Sequence, residues 1–284
     1  MTRVIISSAK MQAICNDIRR SRKGTIGFVP TMGFLHEGHL SLMRKARNEN
    51  DKVVVSIFVN PTQFGPKEDF KKYPRNFARD KQLCKKENID FIFCPKEEDI
   101  YQRHHSTTVS VDGLTECLCG KSRPGHFCGV TTIVAKLFNI VSPDTAYFGQ
   151  KDFQQTVVIK QMVKDLNFST KIKVLPTIRE KDGLAMSSRN SYLLSEERKD
   201  ALVLYETLQM LKRKIKKGIT NTKFLKKIAY KNIESKKTAK VDYIEIVDLC
   251  NLKSLKKIAT KALIALAVKI GRVRLIDNII VSAR

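Results

Sequence analysis

The sequence predicts an α/β protein: a doubly wound parallel sheet within residues 1–177, then a smaller α+β domain over 178–284. Three observations carry this. Strand-like and helix-like stretches alternate from Thr25 to about Leu175. The run Val53–Val59 is nearly all apolar, as suits a central parallel strand covered on both faces. After Pro176 the order changes to helices followed by strands.

Each element follows from local pattern. Thr25–Val29 is a short β-rich run, and Gly38–Asn50 has Leu40, Met43 and Ala46 on one helical face. Val53–Val59 is a strand, and Asn60–Pro74 is a loop broken by Pro61, Gly65, Pro66 and Pro74. Arg75–Asn88 reads as a helix, Asp90–Cys94 as a strand and Thr107–Asp112 as a further extended run. Val130–Val141 carries Ile133, Val134, Leu137, Phe138 and Val141 at helical spacing. Thr145–Phe148 is a strand, Phe153–Leu166 a helix and Lys171–Leu175 a strand. Such βαβ order implies a Rossmann-like sheet with ligands at the carboxyl ends of its strands. In the second part, Ser195–Lys217 reads as one long helix with Ser195 as N-cap and Gly218 as its stop. Thr220–Ser235 is a second helix, and Val241–Val247, Ala262–Val268 and Val273–Asp277 are strands.

Composition narrows the class. The 284 residues include 53 Lys or Arg against 28 Asp or Glu, a formal net charge of +25. Residues 191–284 hold 22 basic and 9 acidic groups, so a third of the chain carries half the excess. Lysines number 36 against 17 arginines, and Trp is absent. A nucleic-acid reader concentrates Arg and aromatics on one element, so the excess reads as composition bias and no nucleic-acid partner is expected. No apolar run approaches a membrane span, the longest clean one being Ala262–Val268, and a signal-peptide stretch is not evident. A cytoplasmic protein is expected, and the seven cysteines, without a CxxC pair, fit reduced thiols. Cys117, Cys119, Cys128 and His126 lack the spacing of common zinc sites.

The chemistry lies in the loops after the strands. The first strand leads into Pro30-Thr31-Met32-Gly33-Phe34-Leu35-His36-Glu37-Gly38-His39 at a helix start, where free N–H groups attract anions. His36 and His39, three apart, either donate to phosphate oxygens or act as caps. HEGH does not have the HExxH spacing of a metalloprotease. Asn60 and Gln63 follow the second strand and can orient a polar ligand, or form an ordinary turn. Gly149-Gln150-Lys151-Asp152 follows a third strand, with Lys151 a natural phosphate contact and Asp152 a good N-cap. Met186-Ser187-Ser188-Arg189 offers two hydroxyls and a guanidinium to a polyphosphate, or is a surface linker. Together these stretches point to a nucleotide site.

The blocks PTMGFLHEGHLSLMRKA, SIFVNPTQFGPKEDFKKYPR, RPGHFCGVTTIVAKLFNIVSPDTAYFGQKDFQQ and DGLAMSSRN resemble the pantoate–β-alanine ligase (pantothenate synthetase) family over nearly the whole chain. His36–His39 and Met186–Arg189 resemble the HIGH and KMSKS-like signatures of the wider nucleotidyltransferase superfamily. The resemblance implies that (R)-pantoate attacks ATP to give pantoyl adenylate and pyrophosphate, and that β-alanine then displaces AMP. It implies that residues 1–177 bind ATP and pantoate while 178–284 form a lid domain. ATP then meets Met32, Gly33, Phe34, Leu35, His36, Glu37, Gly38 and His39, with Gly149, Gln150, Lys151, Asp152, Ile178, Met186, Ser187, Ser188 and Arg189. Gln63 and Gln155 bind pantoate, with Asn60 and Arg123 as further substrate contacts and Asp80 on the side of a magnesium ion. His39 is the residue the family resemblance casts as proton donor. Because pyrophosphate is already a good leaving group, His36, His39, Lys151 and Arg189 are instead expected to act electrostatically, helped by Mg²⁺ on the β- and γ-phosphates. A homodimer is also implied. The Lys-rich stretch Phe64–Tyr73 is expected to move as part of a lid that shields the labile adenylate.

The chain departs from the family pattern at Gln150, where Glu is frequent, and at Phe34, where Ala is common. Two other classes compete. A simple nucleotidyltransferase shares the histidine and Ser-Ser-Arg loops but should lack the Gln63–Gln155 pair. A nucleic-acid-binding module would show tight, salt-sensitive binding.

Overall fold

The structure, a computed structural model, describes residues 2–21, 24–66 and 68–283. Met1 and Arg284, at the ends of the two expected domains, and Lys67 of the expected lid stretch lie outside the described residues. The chain forms two compact units. One comprises 1–112, 123–149 and 155–176; the other comprises 113–122, 150–154 and 177–284.

In the first unit, six strands among the described residues form one parallel sheet in the order β1-β4-β3-β2-β5-β6. They are β1 (Arg3–Ile5), β2 (Ile26–Thr31), β3 (Lys52–Ile57), β4 (Phe91–Phe93), β5 (Thr145–Gly149) and β6 (Lys171–Leu175). Their helices are α1 (Ser8–Arg20), α2 (Glu37–Glu49), α3 (Phe77–Lys86), the single turn α4 (Glu97–Ile100), α6 (His126–Val141) and α7 (Phe153–Asp165), while α5 (Leu118–Ser122) belongs to the second unit. From β2 the chain winds outward through β3 to β4. From β5 it winds the other way to β6. The order therefore reverses between β2 and β5, and ligands of such sheets lie outside the strand carboxyl ends at that point.

Both faces of the sheet are covered. Val29, Val53, Val55, Ile92 and Tyr147 share one cluster with Met43 and Ala46 of α2 and Cys84 of α3. On the other face Phe28 meets Phe138 of α6 edge-on, with ring centroids 6.3 Å apart, and α6 packs with α1. Burial on both faces explains why Val53–Ile57 reads as a nearly all-apolar run rather than an alternating one.

Thr107–Asp112 forms no strand. Its β-branched residues have β propensity, but Thr131 and Thr132 of α6 supply the partners a ladder would have provided. The Val109 N–H donates to Thr132 Oγ1 at 3.0 Å, and its carbonyl accepts from Thr131 Oγ1 at 2.5 Å.

The second unit places α8 (Ser195–Asp200), α9 (Val203–Lys216) and α10 (Thr222–Glu234) with an antiparallel sheet β7-β8-β9 (Ala239–Val247, Lys261–Ile270 and Val273–Ser282). The expected single helix 195–217 is thus two. Ala201 and Leu202 keep right-handed helical angles, so no Gly or Pro marks the break. Asp200 Oδ2 accepts both the backbone N–H and the hydroxyl of Thr238 at 3.2 and 2.8 Å, tying the end of α8 to the segment leading into β7. α9 then buries Leu204, Leu208, Leu211 and Ile215 in the core shared with Ile264, Leu266 and Leu275. Ser195 is the first helical residue rather than the cap: the Leu194 N–H before it is satisfied by Glu197 Oε2 at 3.0 Å. β9 runs past Asp277 because it pairs along all of β8, from Val273↔Ile270 to Ser282↔Lys261.

The two short pieces of this unit, 113–122 and 150–154, are joined to each other by Gln154. Its Oε1 accepts the Cys119 N–H at 2.9 Å, and its Nε2 donates to the carbonyls of Leu114 and Cys117 at 2.9 and 2.8 Å.

Candidate active site

The first unit gathers its expected site residues at the ends of β2 and β3. Thr31 Oγ1 donates to the Ser56 carbonyl at 2.7 Å and accepts the Gly33 N–H at 3.1 Å, joining the two strand ends. Gly33 (φ +80°) and Phe34 (φ +49°) then take left-handed backbone, which reverses the chain before α2. Asp80, in the first turn of α3 and 1% exposed, holds that reversal. Its Oδ2 accepts the Phe34 N–H at 2.7 Å and its Oδ1 the Leu35 N–H at 2.8 Å. Burial pushes the Asp80 carboxyl up, against the two N–H bonds and Arg79, which pull it down. Arg79 Nη1 donates to the Leu35 carbonyl at 2.8 Å, and its guanidinium lies over the Phe34 ring.

His36 is the N-cap of α2, and its N–H donates to His39 Nδ1 at 3.3 Å. The imidazoles stack with centroids 4.0 Å apart and a 30° tilt. With Nδ1 of His39 accepting the His36 N–H, the matching tautomer carries its ring proton on Nε2. The helix terminus adds partial positive charge, so the pair forms a donor surface for an anion.

At the end of β3, Pro61–Gln63 make one 3₁₀ turn. Asn60, 1% exposed, donates to the Gln63 Oε1 and to the Gly129 carbonyl, both at 3.1 Å. Gly129 has to be small, because a Cβ there would overlap the Thr62 backbone. Gln63 Nε2 reaches Met32 Sδ at 3.2 Å, so the loops after β2 and β3 touch. The Gln63 carbonyl accepts from Arg123 Nη2 at 3.2 Å and pairs with His126 Nδ1 at 2.8 Å. Arg123 also grips Glu68 with two nitrogens, at 2.6 and 2.5 Å. Burial raises the Glu68 carboxyl, but the Arg123 bonds prevail and leave it below its ordinary range. In this structure Arg123 and Asn60 therefore fix the Gln63 turn. Gly149 ends β5, and Gln155 lies half-buried in the first turn of α7; no hydrogen bond joins Gln155 to Gln63 among the described residues.

The second unit positions Gln150–Asp152 and Met186–Arg189. Asn278 of β9 donates to the carbonyls of Gln150 and Lys151 at 2.9 and 2.8 Å, pinning the short turn that carries Lys151 and Asp152. Ile178 and Met186 close a tight hairpin, the Met186 N–H donating to the Ile178 carbonyl at 3.0 Å. Gly183 at its tip (φ +101°) lies so close to the Tyr205 ring that a Cβ would overlap it. Arg179 makes two bonds to the buried Asp277 carboxylate, at 2.6 and 2.9 Å, and fastens the hairpin to β9. Ser187 caps the 3₁₀ turn Ser188–Tyr192 by accepting the Arg189 N–H at 3.2 Å. Lys151, Ser187 and Asn190 line one small cleft with Leu275 and Asp277. Two expected phosphate contacts, Lys151 and Ser187, thus come together within this unit.

Sequence reasoning missed Asn278, Arg179 and Asp277, the supports of the second set, and His126 and Glu68 in the first. Only His126 and Glu68 had a signal, since both stand inside the motif blocks. The residues present do not fit a magnesium cage. Both Asp80 oxygens are taken by backbone N–H groups, and no cluster of three or more His, Cys, Asp or Glu suited to a metal occurs among the described residues. No helix among the described residues is long and apolar enough to cross a membrane.

Fold and loops define a doubly wound α/β protein with a histidine pair at a helix start beside the switch point of its sheet, and the relatives place it among ligases. Residues 3–280 match the family model described as Pantoate-beta-alanine ligase. The chain is 54% identical to the pantothenate synthetase of Caldicellulosiruptor bescii over 99% of both chains, and 53% identical to that of Acetivibrio thermocellus over 98% and 99%. The pantothenate synthetase structure from Thermus thermophilus superposes with a TM-score of 0.92 at 41% identity, covering 98% of each chain. A Francisella tularensis pantoate–β-alanine ligase, complexed with β-γ ATP and β-alanine, gives 0.82 at 38% identity over 98% and 97%. The chain belongs to the pantoate–β-alanine ligase family, whose defining reaction joins pantoate to β-alanine to give pantothenate.

Proposed function

We propose that the chain runs this ligation in two steps at the expense of ATP. A carboxylate oxygen of (R)-pantoate attacks the α-phosphorus, the bond from that phosphorus to the β-phosphate bridging oxygen breaks, and pyrophosphate leaves. The amine of β-alanine then attacks the acyl carbon of pantoyl adenylate, loses a proton, and expels AMP. The observation that carries the reading is the His36–His39 pair, stacked at the α2 N-terminus with the His36 N–H on His39 Nδ1. The Francisella relative, with its bound ATP analogue and β-alanine, supports both as substrates here.

The residues divide by what they offer. Met32–His39 bring the α2 N-terminus and its two imidazoles to the phosphates, and Gly149–Asp152, Ile178 and Met186–Arg189 supply the further nucleotide contacts. Gln63 and Gln155 take pantoate, with Asn60 and Arg123 holding the Gln63 turn. Charge spreads over phosphoryl oxygens during the first step, so donors fixed in advance lower the barrier without covalent help. His36, His39, Lys151 and Arg189 act in that electrostatic sense. Magnesium enters as the companion of ATP, and no step is derived through it.

The reading includes a homodimer and a cytoplasmic enzyme. Free thiols at all seven cysteines fit a reducing compartment, and light scattering on the purified chain measures the dimer. The deciding experiment is a pyrophosphate-release assay with ATP and (R)-pantoate, with and without β-alanine. Pyrophosphate is expected in both arms and AMP accumulation only with β-alanine. Pyrophosphate release that needs no pantoate would refute the adenylate route.

A further inference from the structure

We propose that Asp80 is a positioning residue for adenylate formation rather than a metal ligand: its buried carboxylate fixes the Gly33–Leu35 turn that aims His36 and His39. This rests on the two-step reading above. The carboxylate is 1% exposed and makes a two-oxygen grip on consecutive backbone N–H groups, Oδ2 on Phe34 at 2.7 Å and Oδ1 on Leu35 at 2.8 Å. Only a carboxylate fits, because an Asn at this place has one acceptor and must turn its amide N–H₂ toward the other backbone N–H. The turn needs such a grip. Gly33 and Phe34 both sit at positive φ, and Phe34 takes that conformation at a steric cost. A Cβ on Gly33 would come within 3.0 Å of both Asp80 Oδ2 and Ile57 Cγ2, so the carboxylate also packs flush on the reversal.

The neighbouring Arg79 completes the clasp from the same helical turn. It donates to the Leu35 carbonyl at 2.8 Å, so Leu35 is held at its N–H by Asp80 and at its carbonyl by Arg79. His36 follows directly, and its N–H is bonded to His39 Nδ1. The clasp thus sets the N-cap of α2, and through it the imidazole stack. A magnesium ion needs oxygen lone pairs at about 2.0–2.1 Å in octahedral array. Here those oxygens face N–H hydrogens, and no carboxylate cluster gathers around them among the described residues.

The test compares Asp80→Asn with wild type in the two half-reactions: pyrophosphate release from ATP and (R)-pantoate, and amide formation from preformed pantoyl adenylate with β-alanine. The variant should keep its far-ultraviolet circular dichroism. Its first half-reaction should fall about 100-fold, the penalty of a displacement near 1 Å, while the second, which needs no grip on pyrophosphate, stays within about threefold. Raising magnesium should restore nothing. Near-wild-type activity overturns the proposal, and so does equal loss of both half-reactions, which marks a purely structural role. Rescue by added magnesium shows a metal ligand and overturns it too. Should Asp80→Asn not fold, Arg79→Gln takes its place, since it removes a half-exposed donor from the same clasp. A loss of about tenfold confined to the first half-reaction is then expected, and full activity overturns the proposal. If wild type itself releases no pyrophosphate with pantoate, the two-step reading falls; if it does and only the variants disagree, the Asp80 role alone falls.

Discussion

Arg123 holds Glu68 by a two-point grip, Nε to Oε1 at 2.6 Å and Nη2 to Oε2 at 2.5 Å, and the same Nη2 reaches the Gln63 carbonyl at 3.2 Å. One guanidinium therefore ties the 64–73 segment to the turn that presents Gln63. Glu68→Gln breaks one arm and leaves Arg123 half-buried, and a charge-assisted bond of this kind is worth about 1–2 kcal/mol. The pH dependence has a definite sign. The folded carboxyl lies below its ordinary 4.5, so its contribution is present above that value and is lost as pH falls through the lowered folded value. Urea unfolding of wild type and Glu68→Gln should differ at neutral pH and converge as the pH falls through the lowered folded value. A gap that persists in acid would show that packing, not the ion pair, sets the difference.

The same latch bears on shielding of the adenylate. The segment packs on itself, Phe64 lying 5.4 Å from Phe70 and 6.0 Å from Tyr73 between ring centroids, with Tyr73 buried. A self-packed loop moves as a body rather than melting residue by residue. Addition of ATP and (R)-pantoate should slow trypsin cleavage at Lys71 and Lys72. Unchanged cleavage rates with both ligands present would sink the lid.

The seven thiols report on the core. Burial pushes Cys15 and Cys84 up to about 12, and Cys250 is exposed. A thiolate-seeking disulfide reagent at neutral pH should therefore find one fast site and leave Cys15 and Cys84 untouched until the chain is unfolded in denaturant. Cys250→Ser should abolish the fast phase. If that phase survives the substitution, one of the partly exposed thiols, Cys94, Cys117 or Cys128, is the fast site instead.

What the sequence discloses divides along contact range. The parallel sheet was readable because buried strands carry their signal locally, as Val53–Ile57 does, and the histidine pair because its members are three residues apart at one helix start. β1 was missed: three residues at a sheet edge, one of them exposed, leave no periodicity to read. The break at Ala201–Leu202 was invisible because it needs no breaker residue, only the pull of Thr238 on Asp200. The supports of the site lie furthest out of reach. Asn278 is 127 positions from Lys151 and Asp277 is 98 from Arg179, and no local pattern encodes such pairs. Asp80 shows the limit for a single residue. The family resemblance casts it on the side of a metal, while its two bonds to the loop come from 45 and 46 positions away.

His39 offers the sharpest test of how the first step is catalysed. Its Nδ1 accepts the His36 N–H, so a phosphate contact by this ring would be made through Nε2. A donor that merely stabilises charge can be replaced by an amide, whereas one that must give up its proton cannot. Compared in single-turnover pyrophosphate release, His39→Ala should lose about 100- to 1,000-fold, the usual cost of removing one preorganised donor. His39→Gln, whose amide N–H₂ reaches a similar position, should recover at least about tenfold of that. Equal and nearly complete loss in both variants would establish proton donation instead, and with it a general acid that pyrophosphate, as a good leaving group, should not require.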